Sequence, residues 1–153
     1  MSAVNNIKPH TMPGKMEVPY RNYIGELASD FYVRLRDEGK LCGARCPKCG
    51  RVYMPPQSIC GDCFVKMTEM VELKGEGTLV TFTEVNYKEP MHPVEPPFVY
   101  GIIKLDGADT GMLHMIGECK AADLKIGMRV QAVIAEKRSG NILDIKYFRP
   151  ARD

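Results

Sequence analysis

No stretch of this chain stays apolar for the length of a membrane span, so it does not read as a membrane protein. Charge of one sign is also missing. Twenty-one basic and 19 acidic residues leave a net charge of +2. The basic residues are scattered, and the densest pairs are Arg34 with Arg36 and Lys137 with Arg138. Solvated faces account for such pairs, and nothing in them demands a polyanionic partner. There are only three histidines. No nucleophile elbow, phosphate-cradling glycine loop or suitably spaced carboxylate pair occurs, and Gly75-Glu76-Gly77 is two glycines at a turn. Met1 to Pro19 lacks the apolar core and small-residue cleavage site of a secretory leader, which predicts a cytoplasmic, reducing setting. Disorder is excluded by a hydrophobic content of 44%. The 153 residues suit one domain, or a small module beside a compact one.

The most informative residues present are cysteines. Cys46-Pro47-Lys48-Cys49 is followed, after ten residues, by Cys60-Gly61-Asp62-Cys63. Each Cys-x-x-Cys pair forms a tight turn that aims two sulfurs at one point, and two such turns supply the four thiolates of a tetrahedral structural zinc. With four thiolate ligands no position is left for a catalytic water, so the metal holds the fold and does no chemistry. Two disulfides or a redox-active pair would use the same residues. A reducing cytosol disfavours the first, and the doubled motif without a βαβ context disfavours the second. Cys46-Pro47-Lys48-Cys49-Gly50 also looks like a rubredoxin knuckle, and thiolates accept iron as well as zinc. Gly50 and Gly61 are expected where the turns curl through positive φ. Cys42 is a spare thiol near the site, and Cys119 reads as a small buried hydrophobe.

The fold class reads as mainly β: an N-terminal helix with a four-cysteine zinc ribbon, then a five-stranded OB-fold barrel. Residues 1–19 form an extended arm, 20–68 the helix and ribbon, and 69–153 the OB-fold. The arm holds Pro9, Pro13, Gly14 and Pro19 and no apolar period. A helix is predicted over 20–38, because Leu27, Phe31 and Leu35 recur every four residues and Gly39 can stop it. Tyr20, Tyr23, Phe31 and Tyr32 are many aromatics for so short a helix, and they pack on the neighbouring domain or meet another chain. A short strand is expected at Arg51 to Met54, ended by Pro55-Pro56. The barrel strands are predicted at Thr78 to Tyr87, Phe98 to Leu105, Gly111 to Gly117, Arg129 to Glu136 and Ile142 to Phe148. A single helical turn at Ala121 to Ile126 favours the OB-fold over an SH3-like barrel. Ser139-Gly140-Asn141 makes the last hairpin.

The chain resembles the zinc-ribbon/OB-fold proteins associated with acyl-CoA metabolism, long labelled a domain of unknown function. The carrying segments are Glu38-Gly39-Lys40-Leu41, the two cysteine pairs with Gly50 and Pro55-Pro56, and Gly75 to Thr83. Pro97-Phe98-Val99-Tyr100-Gly101-Ile102-Ile103-Lys104-Leu105 and Ile126-Gly127-Met128-Arg129-Val130 complete them. The resemblance spans almost everything after residue 17. It implies a helper with no catalysis of its own: a subunit that partners a thiolase-like enzyme, supports the hetero-oligomer and helps to hold coenzyme A. Within the family it is most similar to the small subunits of heteromeric thiolases of the benzoylsuccinyl-CoA type, which serve anaerobic toluene breakdown.

A thiolase needs nucleophilic cysteines with histidines around them, and four of the six cysteines here are committed to metal. His10 lies in the arm, and His114 reads as a satisfied barrel residue. His92 lies in a loop, Lys88 to Pro97, that carries four prolines between two strands. The loop is either a stiffened surface connection or a preformed lip that meets partner or substrate. In the second case Met91, His92 and Val94 are the contacts, flanked by Tyr87 and Phe98. Two rival functions remain open. One is a single-stranded nucleic-acid module, with Phe82, Tyr87, Phe98 and Tyr100 as stacking platform. The other is a free-standing acyl-CoA binding protein.

Overall fold

A computed structural model describes residues 8–92 and 94–151. Residues 8–19 have no regular structure and are exposed along their length; the first seven residues of the expected arm lie outside the described part. Helix α1 runs Glu26–Glu38, six residues later than its sequence period suggests. The reason is Gly25, whose φ of 84° is not helical and which caps the helix start. Phe31 and Leu35 are buried as the period requires, and Gly39 closes the helix through its N–H to the Leu35 carbonyl. Asp30 and Arg34 pair along the surface at 3.0 Å. The aromatics divide. Phe31 and Tyr32 pack with ring centroids 5.1 Å apart and join the core, while Tyr20 and Tyr23 stay exposed.

Strand β1 (Leu41–Arg45) lies between β2 (Val52–Tyr53) and β3 (Glu69–Leu73), all antiparallel. This small sheet carries the cysteine turns. Five further strands close a barrel: β4 (Glu76–Val85), β5 (Phe98–Leu105), β6 (Gly111–Ile116), β7 (Arg129–Ile134) and β8 (Ile145–Pro150). Their order is β4-β5-β6-β8-β7, with β7 returning to β4. A 3-10 turn at Ala121–Asp123 occupies the β6–β7 connection. This is the OB topology expected from the sequence.

Two local departures have clear causes. A bulge between Leu79 and Thr81 breaks the expected alternation of β4, so Leu79 and Phe82 turn to the core and Thr81 does not. The last strand starts at Ile145 instead of Ile142, because Ile142–Asp144 form a 3-10 turn locked by a capping box between Asn141 and Asp144. The Asp144 carboxylate also collects the N–H groups of Ser139, Gly140 and Asn141, so these residues wrap an anion instead of forming a tight hairpin.

One hydrophobic interior runs through helix, ribbon and barrel. It joins Phe31 and Leu35 to Leu41, Val52, Met54 and Leu73, and these to Leu79, Ile103, Met112, Val130, Ile145 and Phe148. Cys42 is buried in it, and Cys119 packs half-buried against it. A clasp reinforces the join. Val52 N–H donates to Asp109 Oδ2 at 2.8 Å, and Asp109 N–H donates back to the Val52 carbonyl at 2.8 Å. Met54 N–H donates to Thr110 Oγ1 at 2.8 Å, whose hydroxyl donates to the Met54 carbonyl at 3.0 Å. The β5–β6 turn of the barrel thus behaves as a further strand beside β2.

His114 sits in the barrel wall, as its position in a strand suggests. Its Nδ1 accepts the Met115 N–H at 2.9 Å, and Nε2 faces the Ile142 carbonyl at 3.4 Å. Burial lowers its pKa below the ordinary value. The unfolded chain therefore takes up a proton near pH 6.5 that the folded chain refuses. Stability present above that pH should be lost progressively as pH falls toward the folded value. Replacing His114 by Gln should flatten this slope. The check is the difference between the two proteins in denaturant unfolding from pH 7 to 5, in which the metal's own acid sensitivity cancels.

Candidate metal centre

The two cysteine turns are built alike. Cys46 N–H donates to the Arg51 carbonyl and the Cys46 carbonyl accepts from Gly50 N–H, at 2.8 and 3.0 Å. Cys60 repeats this with Val65 and Phe64, at 3.0 and 3.0 Å. Each turn so presents two sulfurs to a common point. The Sγ atoms of Cys46, Cys49, Cys60 and Cys63 all lie within 4.8 Å of one another, and none is in a disulfide. Sulfurs about 2.3 Å from a tetrahedral metal stand about 3.8 Å apart. Cys49 and Cys60 sulfurs are separated by 3.8 Å. The donor set and its spacing fit a tetrahedral thiolate-bound ion.

The surroundings favour a thiolate at Cys60. Lys48 and Cys49 N–H groups point at Cys46 Sγ, at 3.4 and 3.5 Å. Tyr53 lies with its hydroxyl 3.5 Å from Cys60 Sγ, and this contact draws the Cys60 pKa down to about 6. Burial, with the neighbouring sulfurs, pushes Cys63 up to about 12. The contrast is what four crowded sulfurs without a cation require: one can ionise readily, and the next resists adding charge. A bound divalent cation removes that conflict.

Glycine placement is half as expected. Gly50 has φ 76°, but Gly61 has no positive φ. The position equivalent to Gly50 in the second turn is Phe64, at φ 55° and 82% exposed. A bulky residue in the left-handed region costs about 1–2 kcal/mol. Replacing Phe64 by Gly should therefore stabilise the metal-loaded protein by about 1 kcal/mol, after the extra freedom of glycine in the unfolded chain is subtracted. Denaturant titration of both proteins measures it.

The proline loop after β4 organises a second surface. Ring centroids of Tyr87 and His92 are 5.5 Å apart, those of His92 and Phe98 5.1 Å, and those of Phe98 and Tyr100 5.3 Å. His92 Nδ1 accepts the Glu89 N–H at 3.3 Å, and Lys88 pairs with Glu95 at 2.7 Å across the loop base. Of the five residues expected at this lip, Phe98 is buried, His92 half-buried, and Tyr87, Met91 and Val94 exposed, Met91 at 91%. The structure thus gathers Tyr87, His92 and Phe98 into one tilted, edge-to-face ring cluster and leaves Met91 and Val94 outside it.

Residues 34–68 match the family described as ChsH2, rubredoxin-like zinc ribbon domain, and residues 70–135 match the ChsH2 C-terminal OB-fold domain. A DUF35 domain-containing scaffold protein of Methanocaldococcus jannaschii is 34% identical over 115 residues, which cover 72% of this chain and 81% of that protein. The chain belongs to the DUF35 scaffold family. A DUF35 scaffold protein of Pyrococcus furiosus is 25% identical over 126 residues, covering 80% of this chain and 91% of its own. Two solved DUF35 structures share the fold. The Ltp2-ChsH2(DUF35) aldolase superposes with a TM-score of 0.62 at 22% identity, covering 85% of this chain and 98% of that one. A DUF35-family protein of unknown function from Sulfolobus solfataricus superposes with a TM-score of 0.62 at 22% identity, over 83% of this chain and 87% of its own.

Within this DUF35 chain, sequence reasoning missed two features of the ribbon. Tyr53 is legible only as a strand residue, and Asp109-Thr110 only as part of the connection between two predicted strands. Tyr53 points from β2 toward the sulfurs, and Asp109 and Thr110 reach from the β5–β6 turn to the backbone of Val52 and Met54. The alternation of Arg51 and Tyr53 on one face of a strand is the signal that points the first toward the second cysteine turn. No described helix is long and apolar enough to cross a membrane.

Proposed function

We propose that this protein is the non-catalytic, zinc-bearing subunit of a cytoplasmic thiolase-type complex that cleaves a 3-oxoacyl-CoA, with 2-benzoylsuccinyl-CoA the candidate substrate. The observation that carries the reading is membership of a family whose curated relatives are described as scaffold proteins. Cys46, Cys49, Cys60 and Cys63 hold one structural metal ion, with no position left for a reacting water. The remaining thiols support a non-catalytic role: burial raises the pKa of both Cys42 and Cys119, the opposite of an activated nucleophile. The lip of Tyr87, Met91, His92, Val94 and Phe98 serves as the contact with the catalytic chain or with the coenzyme A arm the two chains share. Its internal ring contacts and the Lys88–Glu95 pair hold it ready, which lowers the entropy lost on binding.

A partner with aldolase chemistry is the second reading, favoured by the likeness to the Ltp2-ChsH2(DUF35) aldolase. The two differ in a measurable way: thiolysis consumes coenzyme A as it breaks the carbon–carbon bond, and aldol cleavage does not. Affinity purification of the tagged protein from its native cells tests both. A thiolase-like chain in fixed ratio, with coenzyme A-dependent cleavage of an acyl-CoA, supports the first reading. Cleavage without added coenzyme A supports the second. Co-purifying nucleic acid, or no partner, overturns both.

A further inference from the structure

We infer that Tyr53 is a positioning residue for the metal, whose hydroxyl bonds to the Cys60 thiolate and sets how long the ion is retained. The inference rests on the metal reading above and adds a residue that is not a ligand.

Tyr53 stands on β2, directly after the first cysteine turn, yet its side chain reaches the second. Its oxygen accepts the Gly61 N–H at 3.2 Å and lies 3.5 Å from Cys60 Sγ. Arg51, two residues earlier on the same face of the chain, pairs with Asp62 inside the second turn. A phenol oxygen that already accepts from Gly61 has its proton left to give. The sulfur is the acceptor within reach. In the first turn Cys46 faces the N–H groups of Lys48 and Cys49. The two turns share their backbone bonds, and Cys60 is the ligand that has a phenol hydroxyl within reach.

That difference matters because four thiolates around a divalent cation leave two negative charges to disperse. A donor at one sulfur spreads that charge and makes the sulfur slower to pick up a proton and leave the metal. The same contact ties the first turn to the second, through Tyr53 with Gly61 and through Arg51 with Asp62. The two halves of the site are held in register by side chains that do not touch the ion.

The test compares the full-length zinc-loaded protein with its Tyr53→Phe variant. Zinc transfer to an excess of a chromogenic chelator should be about 10–100-fold faster in the variant, the range for residues one layer outside a metal. After cobalt(II) substitution the thiolate-to-metal charge-transfer band should move to longer wavelength, since a sulfur that loses a donor holds its lone pair less tightly. A merely structural role would leave that band in place. Equal release rates or an unmoved band overturns the inference. If Tyr53→Phe does not fold, the zinc-loaded wild type decides by proton NMR: a Tyr53 hydroxyl proton slow to exchange with water is expected, and one that exchanges freely overturns the inference. A wild-type chain that takes up no metal overturns the metal reading instead.

Discussion

Replacing Cys46 by Ser should reduce the bound metal from one ion per chain to none, measured by elemental analysis of the purified protein. The same change should lower the whole protein's unfolding transition. Cys46 is 1% exposed, and its sulfur receives two backbone N–H groups. Serine offers a harder, less acidic oxygen that a thiolate-selecting ion does not accept in its place. Structural zinc in small ribbons contributes on the order of 10 kcal/mol of apparent folding free energy. Beneath the site the buried cluster is Ala44, Cys46, Cys60 and Met67, with Leu27, Tyr53, Cys63, Val65 and Met70 packed half-buried against it. So small a cluster cannot hold the turns closed once the ion is gone. A variant that keeps full metal and an unaltered transition would sink the ligand assignment.

The second large effect concerns the clasp between ribbon and barrel. Asp109→Ala combined with Thr110→Val should destabilise the metal-loaded protein by roughly 3–5 kcal/mol. The change removes three of the four hydrogen bonds between this turn and β2, leaving only the backbone bond from Asp109 N–H. Val52 and Met54 are buried, so their N–H groups cannot turn to water, and each orphaned donor costs about 1–3 kcal/mol. Thr110→Ser keeps the hydroxyl and should stay close to the wild type. Denaturant unfolding measures the difference, and native-state hydrogen exchange locates it. The Val52 and Met54 amides should lose protection before those of β5 and β6. A loss below about 1 kcal/mol for the double variant would mean that apolar contact alone joins the two parts.

Much of this architecture is legible in the residues. The cysteine pairs announce the ribbon, because thiolate spacing is set by the metal and not by the surroundings. Phe98–Leu105 falls where its apolar run places it, and from Gly101 onward every second residue is buried. Strands β1 and β3 escape the same reading. Leu41–Arg45 contains Cys42, Gly43 and Ala44, which are small and nearly all buried, and so carry no alternation. Glu69–Leu73 carries two glutamates and pairs at the sheet edge, where charge is tolerated. The helix start was set by one backbone angle at Gly25, and the β4 face by one bulge; neither leaves a trace in hydrophobic periodicity. At the metal site the four ligands could be read in advance. Tyr53 and Arg51 could be placed on one face of the chain, but what they reach depends on how the second turn folds back over β2.

The shared interior of ribbon and barrel changes what metal shortage means for this protein. Were the ribbon a separate bead, a chain made without its ion would be a sound barrel with one frayed end. Here Leu41, Val52, Met54 and Leu73 belong to the same interior as Ile103 and Phe148. An empty site strips one wall from the molecule, and the exposed interior is what cellular quality control recognises. Metal supply should therefore be felt as the number of chains a cell keeps, rather than as a weaker version of each.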